Sequence, residues 1–347
     1  MIELDGSMLE GGGQILRMAV AYSSLLSKPV KVYNIRQGRS EPGLKPQHMK
    51  TLEAVGKIVN ADLEGLYPSS REISFKPGII EGGSFHFDIG TAGSISLMLQ
   101  CISPIASFAD SEVDLRINGG TNVRWSPPIH VLDNVIWNAF RRMGFNGNIR
   151  VKKHGFYPKG GGIIEANIKP IRQLYPLNVN TQPKNMNING ISLCGRLPKH
   201  VAVRQAKSAS DIFGDTEYGV SIKVNDLSEN VPFSSGSVVC LWVDSSEVFV
   251  GSSCLGERGK RAEKVGAEAA AEILKELNSG CCVDYRTADN LILWASLAKG
   301  ETRFTTSKIS LHTETAIEIA KIFTDASIEV KPGKCPEIRI RGIGLER

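Results

Sequence analysis

The chain has 347 residues, of which 41% are hydrophobic and 22% are charged, and its formal net charge is +5. This composition excludes extensive disorder, and the length predicts two domains or one large domain with an insert. The small positive charge permits a polyanionic partner without requiring one. The longest apolar stretches are far too short to cross a bilayer, and the acidic start MIELDGSMLEGGG has no signal-peptide pattern.

A pattern of helices and strands recurs three times along the chain. In each copy a helix and a strand precede a second helix that begins at a histidine, and further strand segments follow. The second helices begin at His48, His130 and His312. The first helices are carried by GGGQILRMAVAYSSLL, GTAGSISLMLQCISPIASFA and TADNLILWASLA. The apolar spacing after His312 in the third copy is helical, at Ala316, Ile319, Ala320 and Phe323, and segments such as SFHFDI alternate as strands do. The pattern predicts an α/β (α+β) fold of three βα units, with sheets covered by helices on one face.

An insert is predicted between the second and third copies. The histidines are 82 residues apart between the first two copies and 182 apart between the last two, an excess of about one small domain. We place an inserted α/β domain at 183–278, and the repeat domain at 1–182 and 279–347. Domain insertion in a surface loop is tolerated because the chain ends of the host stay close together.

The seven cysteines form no C-x-x-C pair and no cluster with histidine at zinc-ligand spacing. An odd number of cysteines without the spacing of a disulfide framework favours free thiols in a reducing compartment. We therefore expect a cytoplasmic protein with mostly buried thiols.

Glycine-rich segments precede two helices and separate two strands, at 10–13, 90–94 and 160–162. Glycines at a helix start let backbone N–H groups approach phosphate oxygens, although tight turns between repeat elements would have the same composition. The common nucleotide motifs, the P-loop, G-x-G-x-x-G and K-x-D-G, are all absent. A nucleotide would therefore need another kind of site.

Basic residues cluster in the first repeat. Arg17 lies one turn into the first helix, and Arg36 and Arg39 flank a glycine where a strand ends, shortly before Gln47. Guanidinium groups beside a glycine-rich helix start could bind phosphates, or could form surface ion pairs with carboxylates such as Glu41.

His312 lies at a predicted helix start, in SLHTET. The positive end of the helix dipole favours the neutral imidazole, which is a competent nucleophile towards phosphorus. A capping or packing histidine is the alternative at this position.

Several ordered segments resemble the RNA 3'-terminal-phosphate cyclase family, in its catalytic branch that retains the histidine. They are LDGSMLEGGGQILR, IRQGRSEPGLKPQH, GTAGS, NGGTNVRWSPP, HGFYPKGGGII, LGERGKRAEKVGAEAA and SLHTETAI. The resemblance covers the whole repeat domain and extends through the insert. It implies the fold that the repeats predict.

The resemblance implies an ATP-dependent reaction on RNA. The histidine is adenylylated with release of pyrophosphate, AMP passes to an RNA 3'-phosphate, and the neighbouring 2'-hydroxyl displaces AMP to leave a 2',3'-cyclic phosphate. Activation by AMP supplies the leaving group that a phosphate monoester lacks, and the neighbouring hydroxyl reacts intramolecularly. The implied cofactors are ATP and Mg²⁺ or Mn²⁺, and the implied partner is RNA with a 3'-terminal phosphate.

Residue by residue, the resemblance makes His312 the nucleophile and Glu10 the carboxylate that holds the divalent cation. The residues that match the ATP and phosphate site are Arg17, Arg36, Arg39, Gln47, Pro127 or Pro128, Asp289 and Asn290. Two positions depart from the family pattern, because Arg286 stands where some members have an adenine-stacking tyrosine and Asn290 where some have glutamine.

Two alternatives remain open on the sequence. One is a non-catalytic RNA-binding factor of the same fold that acts in rRNA processing, against which His312 argues. The other is an enolpyruvyl transferase, a family that also uses repeated βα units but lacks HGFYPKGGG.

RNA contacts are expected to be mostly electrostatic and made to phosphates. Arg124, Lys152, Lys153 and Lys159 form a candidate basic lane, or alternatively an ordinary solvated face. A homo-oligomer is possible, and no membrane partner is expected.

Overall fold

The first repeat folds into a four-stranded sheet with two helices, in a computed structural model that describes residues 1–347. Its elements are β1 (Ile2–Asp5), α1 (Gly13–Leu26), β2 (Val30–Tyr33), α2 (Pro46–Ile58), β3 (Asp62–Glu64) and β4 (Ile73–Lys76). Strand β1 pairs in parallel with β2, and the other pairs are antiparallel, in the order β1-β2-β4-β3. The repeat therefore begins one strand earlier than the sequence pattern predicts.

The second repeat has the same topology. Its elements are β5 (Gly83–Asp88), α3 (Ile95–Ala106), β6 (Val113–Gly119), α4 (Ile129–Val131), a π-helical turn (Leu132–Ile136), α5 (Trp137–Arg142), β7 (Asn146–Lys153) and β8 (Gly162–Lys169). The sheet order is β5-β6-β8-β7, again with its first strand parallel to the second. The predicted second helix is thus a composite of α4, the π-helical turn and α5.

The third repeat starts with a two-residue strand, β9 (Asn178–Val179), and is then interrupted. The interrupting elements are β10 (Asn187–Gly195), α6 (His200–Ile212), β11 (Gly219–Asn225), β12 (Gly236–Asp244), β13 (Gly251–Leu255) and α7 (Ala262–Asn278). They form a separate sheet in the order β11-β10-β12-β13, with α6 and α7 packed on it. We keep 183–278 as the proposed bounds of an inserted domain.

The third repeat then resumes. Its remaining elements are α8 (Tyr285–Leu297), β14 (Glu301–Thr305), α9 (Leu311–Phe323), β15 (Ser327–Lys331) and β16 (Glu337–Arg341). The order β9-β14-β16-β15 repeats the topology of the other two sheets, so the mixed α/β fold with three βα units is confirmed. None of the helices is both long and apolar enough to span a membrane.

Helix α1 lies at the centre of the repeat domain. Except at Arg17, its side chains from Gln14 to Leu25 are buried, and it packs against α2, α3 and α9. A helix that is apolar nearly all round is typical of such a central position. At a second buried centre the ring of Phe140 stacks on Trp294, with ring centroids 4.3 Å apart. This contact joins the second and third repeats.

The intervening sheet has its own apolar cluster, which includes Ile188, Leu241, Val265 and Ile273. It is tied to the third repeat at Asp284, whose Oδ2 accepts a hydrogen bond from the Gly251 N–H at 3.0 Å. The start of β13 and the start of α8 are therefore held together.

Candidate active site

A cavity of about 910 Å³ opens where the repeats and the intervening sheet meet. This is the size of a small-molecule ligand site. It is lined by the first turns of α1 and α8, by His312, by residues 123–128, by residues 251–255, and by Glu257 and Lys260. The predicted residues that line it are Arg17, Pro127, Pro128, Asp289, Asn290 and His312.

His312 is the second residue of α9 and its side chain is accessible from the cavity. Ser310 caps the helix, because its hydroxyl accepts a hydrogen bond from the Thr313 N–H at 3.1 Å. The cap is thus supplied by a serine, and the imidazole of His312 is left free for another role.

Gln14 of α1, which precedes His312 by 298 residues in the sequence, orients the imidazole of His312 by hydrogen bonding. The Gln14 Nε2 donates to the main-chain carbonyl of His312 at 3.1 Å, and its Oε1 lies 2.8 Å from His312 Nδ1. A carbonyl can only accept, so the amide nitrogen must face it and the amide oxygen must face Nδ1. Nδ1 therefore carries the proton, and Nε2 keeps its lone pair.

The surroundings also favour a neutral His312. Desolvation by the surrounding protein lowers its pKa below the ordinary value of 6.5, the nearby Glu10 raises it, and the charges of Arg17 and Arg39 lower it again. The net direction is downward. At neutral pH the side chain therefore presents an unprotonated, correctly oriented Nε2.

Arg17 supplies an unpaired positive charge to the cavity. It lies on the central helix, and desolvation lowers the pKa of its guanidinium, which forms no hydrogen bond or ion pair within the protein. A cation held without a protein partner at the wall of a cavity is suited to an anionic ligand, and a guanidinium binds phosphate bidentately.

The first turns of α8 present polar groups to the same cavity. Burial, with a smaller effect of Asp284, raises the pKa of Asp289 to about 8. At neutral pH this carboxyl is thus protonated and can donate a hydrogen bond. The Asn290 Nδ2 donates to Asp289 Oδ1 at 2.5 Å and to the main-chain carbonyl of Arg286 at 2.8 Å.

Arg286 itself lines the cavity, anchored by Glu272 at 2.5 Å and lying 4.6 Å from the centroid of the Tyr285 ring. Tyr285 also lines the cavity, so a tyrosine is present one residue before the position at which the resemblance expects it. Sequence reasoning missed this residue.

Pro127 and Pro128 also line the cavity, next to Trp125, which is 92% exposed. The two prolines present flat, rigid apolar surfaces. Together with the polar groups of α8 in the same lining, they supply the apolar surface and the polar groups that a nucleobase requires.

Glu10 lies beside the cavity rather than in its wall. Its backbone N–H donates to Thr315 Oγ1 of α9 at 3.2 Å, and its carboxylate forms an ion pair with Arg39. The carboxylate lies against Gly12, where a Cβ would displace it. The second carboxylate oxygen is buried and has no hydrogen-bond partner.

The other basic residues of the first repeat form a neighbouring group. One Arg36 nitrogen donates to the main-chain carbonyls of Glu41 and Gly43, each at 2.8 Å, while Gln47 lies against Gly93. Burial, together with Arg17, Arg36 and Lys45, lowers the pKa of His48 to about 3, so this histidine is neutral. Arg36, Arg39 and Gln47 do not line the cavity itself.

The four residues of the candidate basic lane differ in whether they form ion pairs. Arg124 lines the cavity and pairs with Glu257 at 2.9 Å, and Lys152 pairs with Glu165 at 3.2 Å on the outer face of the second sheet. Lys153 and Lys159 form no ion pair. Lys152 therefore fits the alternative of a solvated charged face, whereas Lys153 and Lys159 remain available.

No group of three histidine, cysteine or acidic side chains could hold a metal ion. The orphan oxygen of Glu10 is nevertheless a suitable single carboxylate ligand. Mg²⁺ is commonly bound by one or two carboxylates together with water and substrate phosphates, so the residues present fit such an ion.

The sequence comparisons with known proteins identify one family. A model described as RNA 3'-terminal phosphate cyclase matches residues 8–330. A protein of that name from Methanosarcina barkeri is 44% identical over 333 residues, which are 95% of this chain and 97% of the relative. Those from Desulfurococcus amylolyticus and Archaeoglobus fulgidus are each 41% identical and cover 100% and 96% of this chain and 99% of each relative. These similarities favour the cyclases over the enolpyruvyl transferase alternative.

Proposed function

The chain belongs to the RNA 3'-terminal phosphate cyclase family and is an enzyme, and from this premise we propose how its residues act. We propose that it converts an RNA 3'-terminal phosphate into a 2',3'-cyclic phosphate through AMP bound covalently to His312. The observation that supports this most is the hydrogen bond from His312 Nδ1–H to Gln14, which leaves Nε2 free.

In the first step, His312 Nε2 attacks the α-phosphorus of ATP. A P–N bond forms between Nε2 and the α-phosphorus. The bond between the α-phosphorus and the oxygen that bridges to the β-phosphorus breaks, and pyrophosphate leaves. Nε2 needs no base because its lone pair is already free. Gln14 holds the Nδ1 proton and so stabilises the positive charge that develops on the ring.

In the second step, an oxygen of the RNA 3'-phosphate attacks the phosphorus of AMP, and the P–N bond breaks. The terminal 2'-hydroxyl then attacks the 3'-phosphorus, loses its proton and displaces AMP. Because nucleophile and phosphorus belong to the same nucleotide, proximity lowers this barrier. The unpaired Arg17 is suited to neutralise phosphate charge in these steps.

Glu10 is the residue that would hold Mg²⁺ or Mn²⁺, which would neutralise charge on the ATP phosphates. We assign Arg36, Arg39 and Gln47 to phosphate groups beyond the cavity. Arg39 pairs with Glu10, Arg36 is close enough to Glu10 and His48 to interact with them electrostatically, and Gln47 precedes His48 on α2. We assign the adenine to Pro128, Asp289 and Asn290, which bring an apolar surface, a protonated carboxyl and an amide to the same cavity.

The test is intact-protein mass after incubation with ATP and Mg²⁺ without RNA. We expect one added AMP, labile to acid and stable to alkali, as for a phosphoramidate. Addition of 3'-phosphorylated RNA should remove it and yield a phosphatase-resistant end. RNA with a 2'-deoxy terminal nucleotide should stop at the AMP-capped stage, since it lacks the last nucleophile. Absence of any adduct, with Mg²⁺ or Mn²⁺, would contradict the proposal and leave an RNA-binding role.

Gln14→Ala should slow AMP loading about 10- to 100-fold, because the imidazole loses the partner that selects its tautomer and orientation. Gln14→Glu keeps an acceptor for Nδ1–H but loses the donor to the main-chain carbonyl. We therefore expect Gln14→Glu to load faster than Gln14→Ala in single-turnover measurements. Equal rates for both variants and the wild type would show that Gln14 does not position His312.

The pH dependence of AMP loading should reflect the lowered pKa of His312. Loading requires the neutral imidazole and is lost as pH falls through the His312 pKa, so its acid limb should lie below pH 6.5. Arg39 lowers this pKa, so Arg39→Gln should move the limb upwards. Single-turnover rates between about pH 5 and 8 measure both, and a limb that moves downwards in Arg39→Gln would contradict this assignment.

The cysteines are all free, which is compatible with the cytoplasmic location that we propose. A homo-oligomer remains a proposal.

A further inference from the structure

Three exposed aromatic side chains lie on neighbouring segments beside the cavity. Trp125 is 92% exposed, Tyr157 is 75% exposed and Phe233 is 54% exposed. We call Trp125, Tyr157 and Phe233 the aromatic ledge. Large aromatic side chains gain much by burial, so several left in solvent close together indicate a binding surface.

Main-chain contacts place these segments side by side. Asn122, just before Trp125, forms an isolated parallel bridge with Phe156, the neighbour of Tyr157. The Lys159 N–H donates to Ser234 Oγ at 3.0 Å, next to Phe233. The ledge thus continues from the cavity wall at Trp125 across the second repeat to the intervening sheet.

The backbone at Trp125 supports a functional role for its exposure. Its φ is 60°, in the left-handed region that a bulky residue rarely adopts. Such strain is concentrated at binding and catalytic sites. The strained turn holds the indole at the mouth of the cavity, where Arg124 and Trp125 are both part of the wall.

Unpaired positive charges border the ledge. Lys153 Nζ lies 3.7 Å from the centroid of the Phe233 ring, and Lys159 is exposed without an ion-pair partner. Arg196 is exposed too, and its Nε donates to the main-chain carbonyl of Pro232, which precedes Phe233. Aromatic faces bordered by cations are the composition of sequence-independent single-strand binding surfaces.

We propose that the aromatic ledge binds the single-stranded nucleotides that precede the RNA 3' end, by stacking of their bases, while Lys153 and Lys159 contact their phosphates. This proposal rests on the proposed function, because it takes the cavity as the place of the terminal phosphate. It adds a stacking contribution to the mainly electrostatic RNA contact that the sequence predicts.

The experiment measures the affinity of 3'-phosphorylated oligonucleotides of two and eight nucleotides for the full chain, over a range of salt concentrations. Tyr157→Ala and Phe233→Ala should each weaken binding of the eight-mer about 5- to 100-fold, the range for aromatic stacking, and leave its salt dependence unchanged. Binding of the two-mer should change much less. Lys159→Gln should instead reduce the slope of log affinity against log salt by about one.

Tyr67→Ala is the matched control, because Tyr67 is also an exposed tyrosine, at 59%, and lies away from the cavity in the first repeat. It should bind both oligonucleotides as the wild type does. Equal affinities of the wild type and the ledge variants for the eight-mer would overturn the proposal. So would an equal loss in Tyr67→Ala.

Two further readouts separate the remaining outcomes. AMP loading of the wild-type chain without RNA tests the proposed function alone, so a loaded enzyme with unaffected ledge variants rejects only the ledge. Sedimentation of Phe233→Ala tests whether the ledge is an interface between copies of the chain. A changed oligomeric state with unchanged RNA affinity would overturn the RNA assignment.

Discussion

His312→Ala should form no AMP adduct and should lower RNA cyclisation by at least about 10³-fold, the scale of loss when a covalent nucleophile is removed. The side chain faces the cavity from the second position of α9, and its Nε2 carries the free lone pair. No other histidine lines this cavity. Intact-protein mass after incubation with ATP, followed by single-turnover cyclisation, measures both effects.

The fold should survive this substitution. The cap of α9 is provided by Ser310, and His312 is accessible, so its loss removes little packing. His200→Ala is a matched control, because His200 is also an exposed residue in the first turn of a helix. It should load AMP at the wild-type rate. An adduct of undiminished amount in His312→Ala would mean that another residue is the nucleophile.

Much of the fold could be predicted because the repeats carry long periodic segments. Helix α9 shows its buried face directly in the spacing of its apolar residues, and α1 is apolar nearly all round, as expected of a central helix. The first strands of the first and third repeats were harder to predict. β1 has four residues and β9 has two, and such short strands are held by main-chain hydrogen bonds that leave little trace in the side chains. β13 has the sequence GSSCL, which does not show the alternation of apolar and polar residues that identifies a strand.

The candidate site could be predicted where its functional residues lie close together within one segment of the sequence. The start of α9 shows both its cap and its histidine within a few residues. Contacts across the fold were not predictable in the same way. Gln14 meets His312 because α1 packs against α9. Cys254 and Lys260 line the cavity with residues of α8 because the intervening sheet meets the third repeat there, as at the hydrogen bond from Gly251 to Asp284. Pairing of this kind depends on tertiary packing, which a local pattern does not encode.

Arg17→Met should lower AMP loading about 10²- to 10³-fold and leave the melting temperature unchanged or higher. The guanidinium faces the cavity without any protein partner, and desolvation already disfavours its charged form, so the folded chain gains little from this charge. Replacing a desolvated charge by an apolar side chain of similar length is often stabilising. The loss of loading follows because a charge that offsets the ATP phosphates is removed.

Arg17→Lys separates charge from geometry, since it keeps the charge and loses the bidentate fork, and it should load AMP at an intermediate rate. Arg341→Met is the control, because Arg341 is an exposed arginine on β16 that does not line the cavity. Thermal unfolding and single-turnover loading are measured on the same samples. A clear fall in the melting temperature of Arg17→Met would assign Arg17 a structural role, and an unchanged loading rate would remove it from the phosphate site. A stable but inactive Arg17→Met would show that the chain keeps an unfavourable charge at its centre for the ligand that the cavity binds.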